Sequence, residues 1–402
     1  MTAGPNVIEL TEYERTTLDR DALPPGVGEA LWRGYGRQVN VAFPDPTTAY
    51  RWQMTPLGWV GHIPLTPEIQ FVLQPKVPLS NLFRMLAHAY RLDPEWLEGL
   101  IECQSLAEFY ERLALILARR VLDRSRKGLY RSYVPQTEPL PYIRGRLDVA
   151  QAVRTPGRVN HDCHFHEHTA DIEDNQILVW TLRRIARSGL CSERTLPTIR
   201  RAYRALQGLV TVQPFAPEVC LNRLYHRLNN DYEPLHALCR FFLEQSGPTH
   251  ALGDRAMLPF LVDMARLYEL FVAAWLTAHL PDTLRLKVQE RVAIGQSRQL
   301  KFDIDLVLYE ANSGAAWCVL DTKYKAPVSP ANDDIFQAVT YAEAKGCRQA
   351  VLVYPKPPAH PLDETIGQIR IRSLTFGLDG DLEQAGSRFL AALLTVDASR
   401  TD

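Results

Sequence analysis

The sequence predicts a multidomain α+β chain: a β-rich N-terminal region over 1–80, a mostly helical middle over 81–247, and a C-terminal α/β unit with a mixed central sheet over 248–402. Three observations predict it. At roughly 150 residues per domain, 402 residues make two or three domains. The hydrophobic pattern changes from short β-branched runs to helical periodicity near residue 80. Past Gly247–Pro248 the segments alternate as α-β-β-β-α-β-β. A composition of 46% hydrophobic and 23% charged residues is ordinary for globular proteins and excludes extensive disorder.

Each element has its own signal. Val39 to Phe43, Trp59 to Ile63 and Ile69 to Leu73 are apolar, β-rich runs bounded by Pro and Gly. A helix starts at Leu79–Ser80–Asn81, where Leu82, Met85, Leu86 and Ala89 share one 3.6-period face. Leu106 to Leu122 is a second helix with a stripe of Phe109, Leu113 and Ile116. The basic run that follows (Arg119, Arg120, Arg124, Arg126, Lys127) reads as a solvated helix end favoured by the macrodipole. Residues 128–148 are extended and rich in Pro. Helices near Ile172 to Ser188, Leu196 to Leu209 and Pro234 to Gln245 complete a scaffold. The last region has a long apolar helix from Leu258 to His279, then strands at Leu284 to Ile294, Leu300 to Tyr309 and Ala316 to Asp321. Helix Asp333 to Ala344 and strands Ala350 to Tyr354 and Ile369 to Leu374 follow.

Several function classes are excluded. A net charge of -1 argues against coating nucleic acid by bulk charge, although a local basic groove is compatible with it. No apolar run approaches the ~18 residues that span a bilayer. Met1 to Val7 lacks a basic segment followed by an apolar one, so a cytoplasmic location is expected. Seven dispersed cysteines without any C-x-x-C pair read as reduced thiols, not as a disulfide framework or a four-thiolate metal centre.

Chemistry concentrates in two strands. Asp303 and Asp305 interrupt an apolar β-run and share a face, because residues i and i+2 of a strand do. The next strand ends in Asp321–Thr322–Lys323, where Asp321 and Lys323 also share a face. If the strands pair as a hairpin through Asn312–Ser313–Gly314, Asp305 and Asp321 converge with Lys323 beside them. Two carboxylates and an ammonium suit Mg²⁺-dependent phosphodiester hydrolysis, since Mg²⁺ takes one or two carboxylates plus water and phosphate oxygens. The plainer alternative is an Asp–Lys ion pair at a strand end.

The order Asp305, then Asp321–Thr322–Lys323, resembles the PD-(D/E)xK nuclease superfamily, whose core is an α-β-β-β-α-β unit. The finer similarity is to the McrC family, the nuclease subunits of McrBC-type modification-dependent restriction systems. Asp305–Leu306–Val307–Leu308 with Leu320–Asp321–Thr322–Lys323–Tyr324–Lys325 resembles that family's motif pair. Gln337 and Tyr341 resemble its Q-x-x-x-Y helix, and Leu267–Tyr268–Glu269–Leu270–Phe271 its first-helix L-Y-E segment. Ile8 to Glu14, Gln74 to Pro78 with Asn81–Leu82 and Met85–Leu86, and Gly128 to Arg131 with Arg144–Gly145–Arg146 extend the similarity over nearly the whole chain. The sequence departs from the pattern where Ile304 stands for the usual proline before Asp305, and where Asp321 stands for the more frequent Glu.

The resemblance implies an Mg²⁺-dependent endonuclease, with Mn²⁺ as a substitute metal. Asp305 and Asp321 would hold the metal, Lys323 would orient or activate water, and Glu269 and Gln337 would support them. The implied partners are double-stranded modified DNA and a McrB-like AAA+ GTPase hexamer that docks on the N-terminal region, with no membrane. No G-x-x-x-x-G-K-[ST] occurs here, so GTP would bind the partner and not this chain. The rivals are a stand-alone repair or processing nuclease and a non-cutting adaptor that activates an NTPase. Three further clusters invite attention. His164, His166 and His168 would share a strand face, a zinc-like set without a visible fourth partner, and read as surface histidines. Glu290 is either close to the metal or in an edge-strand ion pair. Arg370 and Arg372 share a face that could meet phosphate.

Overall fold

The computed structural model describes residues 6–24, 26–66, 68–92, 103–154, 157–245, 250–252, 255–257, 259–294, 300–325 and 327–395. The chain forms two compact units, Met1–Leu106 with Pro259–Asp402, and Ala107–Leu258. This partition differs from boundaries at 80 and 247, because a C-terminal strand completes the N-terminal sheet. That four-stranded sheet runs Asn6–Thr11, Ile69–Gln74, Trp59–Pro64, Phe260–Asp263. Its first pair is parallel and the other two are antiparallel. Gly61 sits at φ 138°, and a Cβ there would lie 2.1 Å from the Phe260 carbonyl oxygen, so only glycine admits the incoming strand. Leu10, Leu31, Tyr35, Met54, Phe71 and Leu261 form the core beneath it.

Helix Leu79–Tyr90 packs against helix Met264–His279. Asn81, buried near its start, donates to the carbonyls of Leu378 and Gly380, both at 2.8 Å. The single helix expected from Leu258 to His279 is in fact a strand followed by a helix. Asp263 ends the strand and caps the helix, accepting from the backbone N–H groups of Ala265 (3.0 Å) and Arg266 (3.1 Å). Continuous apolar residues on both sides of Asp263 hide this break, since a fully buried strand and a buried helix segment look alike by periodicity.

The rest of this unit is a six-stranded mixed sheet, in the order Leu284–Ile294, Leu300–Glu310, Ala316–Thr322, Gln349–Tyr354, Ile369–Thr375, Asp363–Ile366. The first three strands form an antiparallel meander, the next two run parallel to the third, and the last turns back. Helix Asn332–Lys345 covers one face and packs Ala338, Tyr341 and Ala342 onto Ile304, Val319 and Leu352. The α-β-β-β-α-β-β order stands, with an added edge strand at Asp363–Ile366 and a closing helix at Leu382–Leu394.

The other unit has helices at Leu106–Lys127, Glu173–Arg187, Leu196–Gln207 and Glu233–Glu244. It is less purely helical than expected. Ser132–Leu140 and Arg146–Leu147 flank His161–Thr169 in a three-stranded antiparallel sheet. Pro135 and Pro139 are tolerated because their strand lies at the sheet edge. Arg124 pairs with Asp231 at 3.4 Å and Arg126 with Asp123 at 3.1 Å, so this end of the basic run is held by neighbouring acids.

Candidate active site

The hairpin forms as its turn residues predict, with Gly314 at φ 70°. The last pairs of its ladder are Val307↔Val319 and Leu306↔Leu320, and one residue past them on each strand come Asp305 and Asp321. Asp305 Oδ2 accepts from the Thr322 backbone N–H at 3.0 Å and from its hydroxyl at 3.1 Å, which ties the two strand ends together. Asp321 is 2% exposed and lies between strands, pairing across to Leu352 in the parallel ladder.

Lys323 Nζ lies 2.7 Å from Asp321 Oδ2 and donates to Gln337 Oε1 at 3.0 Å. Gln337 in turn donates to the Tyr341 hydroxyl at 2.7 Å, so the Q-x-x-x-Y spacing forms one hydrogen-bonded column along the helix. Asp334, in the first turn of the same helix, is buried 3.8 Å from Lys323 Nζ and pairs with Lys325. Sequence reasoning missed Asp334. Its signal was an acid one helical turn before Gln337, on the same face.

Glu269 comes from the helix opposite. It is 8% exposed, and its Oε1 accepts from Arg266 Nη1 at 2.7 Å and from Gln289 Nε2 at 3.1 Å. Asp303 is placed elsewhere: it is exposed and paired at 2.7 and 3.0 Å with the Arg291 guanidinium. Of the two aspartates on that strand, Asp305 is the one in the cluster.

The electrostatics follow from crowding. Burial raises Asp321 to about 6; Lys323 opposes the rise and Asp305 adds to it. Burial also raises Glu269, with Asp305 adding to the rise and Arg266 opposing it. For Lys323, burial pulls downward, but Asp321, Asp334 and Asp305 outweigh it and hold the ammonium above its ordinary value. Asp305 therefore adds to the cost of ionising both Asp321 and Glu269, beside a fixed ammonium. Among the described residues, no group of three or more His, Cys, Asp or Glu side chains is placed to hold a metal ion. The donors nonetheless suit Mg²⁺, which needs only one or two carboxylates and completes its shell with water and phosphate oxygens.

The other candidates stand apart. His164, His166 and His168 do share an exposed strand face, where His164 meets the Thr137 hydroxyl at 2.8 Å and His168 lies against the Tyr133 ring. Glu290 is an ion-pair residue, 3.0 Å from Lys345 and 3.7 Å from Lys287. Arg370 is held by Asp363, and buried Arg372 donates to the carbonyls of Ala392, Leu393 and Thr395 at the end of the last helix. Both arginines are thus engaged within the fold, where phosphate contact had been an option.

A family model described as "McrBC 5-methylcytosine restriction system component" matches residues 55–355. The chain belongs to the McrBC family. The "Type IV methyl-directed restriction enzyme EcoKMcrBC" of Escherichia coli (strain K12) is 26% identical over 205 residues, 50% of this chain and 58% of that relative. The match thus spans less than two thirds of the relative's length. Among solved structures, a chain in a refined half-complex from a tetradecameric assembly of Thermococcus gammatolerans McrB AAA+ hexamers with bound McrC aligns with a TM-score of 0.55 at 17% identity. That alignment covers 97% of this chain and 100% of that one, a likeness of fold.

Proposed function

We propose that this McrBC-family chain is the McrC-type subunit of a restriction complex, an Mg²⁺-dependent endonuclease with a PD-(D/E)xK-like core. It would cut modified double-stranded DNA while bound to a McrB-like AAA+ GTPase hexamer, and stimulate the partner's GTP hydrolysis. The observation that carries this reading is the convergence of Asp305, Asp321 and Lys323 at the ends of two paired strands. Gln337 bonds Lys323 from one helix, and Glu269 stands within electrostatic reach of Asp305 from another.

Asp305 and Asp321 would hold the Mg²⁺, which when bound would acidify water and offset the negative charge on the phosphate oxygens. Lys323 stays protonated beside Asp321 and Asp334, so it serves as a charged donor that orients water or a phosphate oxygen, not as a base. Gln337 keeps Lys323 Nζ aimed by accepting one of its three N–H groups. Glu269 adds negative charge within electrostatic reach of Asp305.

Two similar proteins support the substrate and the partner: the Escherichia coli relative is a methyl-directed restriction enzyme, and the Thermococcus gammatolerans assembly has McrC bound to McrB AAA+ hexamers. Exposed Trp32, Phe43 and Tyr50 in the N-terminal region offer apolar surface for docking. None of the described helices is long and apolar enough to cross a membrane, in keeping with a cytoplasmic site of action. The test is cleavage of long methylated DNA with Mg²⁺ by wild type and Asp321→Ala, each alone and with the NTPase plus GTP. Cutting by wild type only, and only with partner and nucleotide, is the expected result. Cutting by wild type alone would make it a stand-alone nuclease. Equal GTPase stimulation by both proteins without any cutting would make it an adaptor.

A further inference from the structure

Gln289 breaks the regularity of an otherwise continuous strand. The ladder pairs Val288 with Leu306 and Glu290 with Ile304, yet Gln289 between them has φ 50°, in the left-handed region that residues with a Cβ rarely adopt. Its side chain is exposed, so core packing does not account for the conformation. The residue skipped on the facing strand is Asp305. From that position the Gln289 amide donates to Glu269 Oε1 at 3.1 Å, while its own oxygen accepts from Arg266 Nη2 at 3.2 Å. Arg266 completes the triangle with a 2.7 Å bond to the same Glu269 oxygen. The backbone N–H of Arg266 is itself fixed by the Asp263 cap. Both donors thus converge on Oε1, and among the described residues neither takes Oε2.

We infer that Gln289 is a positioning residue: held in a strained backbone conformation opposite Asp305, it clamps Glu269 with Arg266 so that Oε2 is left for a divalent cation shared with Asp305. This rests on the metal-dependent reading proposed above. Strained conformations that packing does not require concentrate at functional sites, where the surroundings hold them in place. A purely structural bulge would need neither the amide nor its convergence with Arg266.

Two substitutions separate backbone from side chain. Gln289→Gly and Gln289→Asn both suit a left-handed φ, and neither can reach Glu269. Mn²⁺ binding to the full chain, followed by calorimetry without DNA, is expected to weaken at least about fivefold in both. The thermal midpoint should hold or rise as strain is released. The Mg²⁺ concentration for half-maximal cleavage should rise more than the plateau rate falls. Variants that bind Mn²⁺ as tightly as wild type would overturn the positioning role, as would a lowered thermal midpoint with unchanged affinity. A wild type that binds no Mn²⁺ at all would instead remove the metal site itself, and this inference with it.

Discussion

Two buried polar clusters in this molecule are built on opposite principles. In the unit Ala107–Leu258, fully buried Asn175 donates to the carbonyls of Tyr130 (2.9 Å) and Ala170 (2.7 Å), and accepts from the Tyr232 hydroxyl at 2.7 Å. His236 beside it is equally matched: Nε2 meets the Asp174 carbonyl at 3.0 Å and Nδ1 the Tyr225 hydroxyl at 2.9 Å. Donors and acceptors there cancel locally. At the Asp305–Asp321–Glu269 cluster like charges face each other, and burial raises two of the three acids. Satisfied buried polarity fixes a fold, whereas crowded buried charge keeps affinity for something that is brought in.

The largest expected effect is at the crowded cluster. Asp321→Asn removes a carboxylate but keeps its shape, and should lower Mg²⁺-dependent cleavage by about 10²–10³-fold while the thermal midpoint is kept. Retained cleavage would dissolve the contrast. In the satisfied cluster the ranking inverts: Asn175→Ala strands two carbonyls and the Tyr232 hydroxyl, and should cost about 2–4 kcal/mol in denaturant unfolding. Cleavage per folded molecule should stay the same.

His236 sharpens the comparison through pH. Burial pushes it down to about 4 from an ordinary 6.5. Between those values the unfolded chain takes up a proton that the folded chain refuses, so stability falls as pH falls through this window and the loss is complete below the folded value. The total is about 3 kcal/mol, measured by urea melts from pH 7 to pH 4. His236→Gln should flatten that slope. Gln337→Ala leaves Lys323 in place but unaimed, and should lower cleavage about tenfold with little change in stability. The smallest effect belongs to Asp303→Ala, which breaks only an exposed pair with Arg291 and should leave the thermal midpoint and cleavage both near wild type.

Much of the site was legible in the residues because strand chemistry is local. Period-2 alternation puts Asp321 and Lys323 on one face, and Asn312–Ser313–Gly314 sets the hairpin that aligns Asp305 with them. Gln337 and Tyr341, four apart on a helix, were bound to meet. Less legible was the break at Asp263, masked by apolar residues on both sides that satisfy strand and helix alike. The strand Ser132–Leu140 was hidden by prolines that only an edge position tolerates.

By itself, then, the sequence determined the alternation of elements in the C-terminal region, the motif hairpin and the acids and lysine at its end. Only the tertiary structure decided which acid of the Asp303/Asp305 pair joins the cluster, since Arg291 on the neighbouring strand claims Asp303. It also decided that Phe260–Asp263 belongs to the N-terminal sheet, that Asp334 crowds Lys323, and that Gln289 faces Asp305. The physical reason is common to all four. Each depends on which segment lies beside which across long stretches of chain, and side-chain periodicity carries information only about neighbours along it.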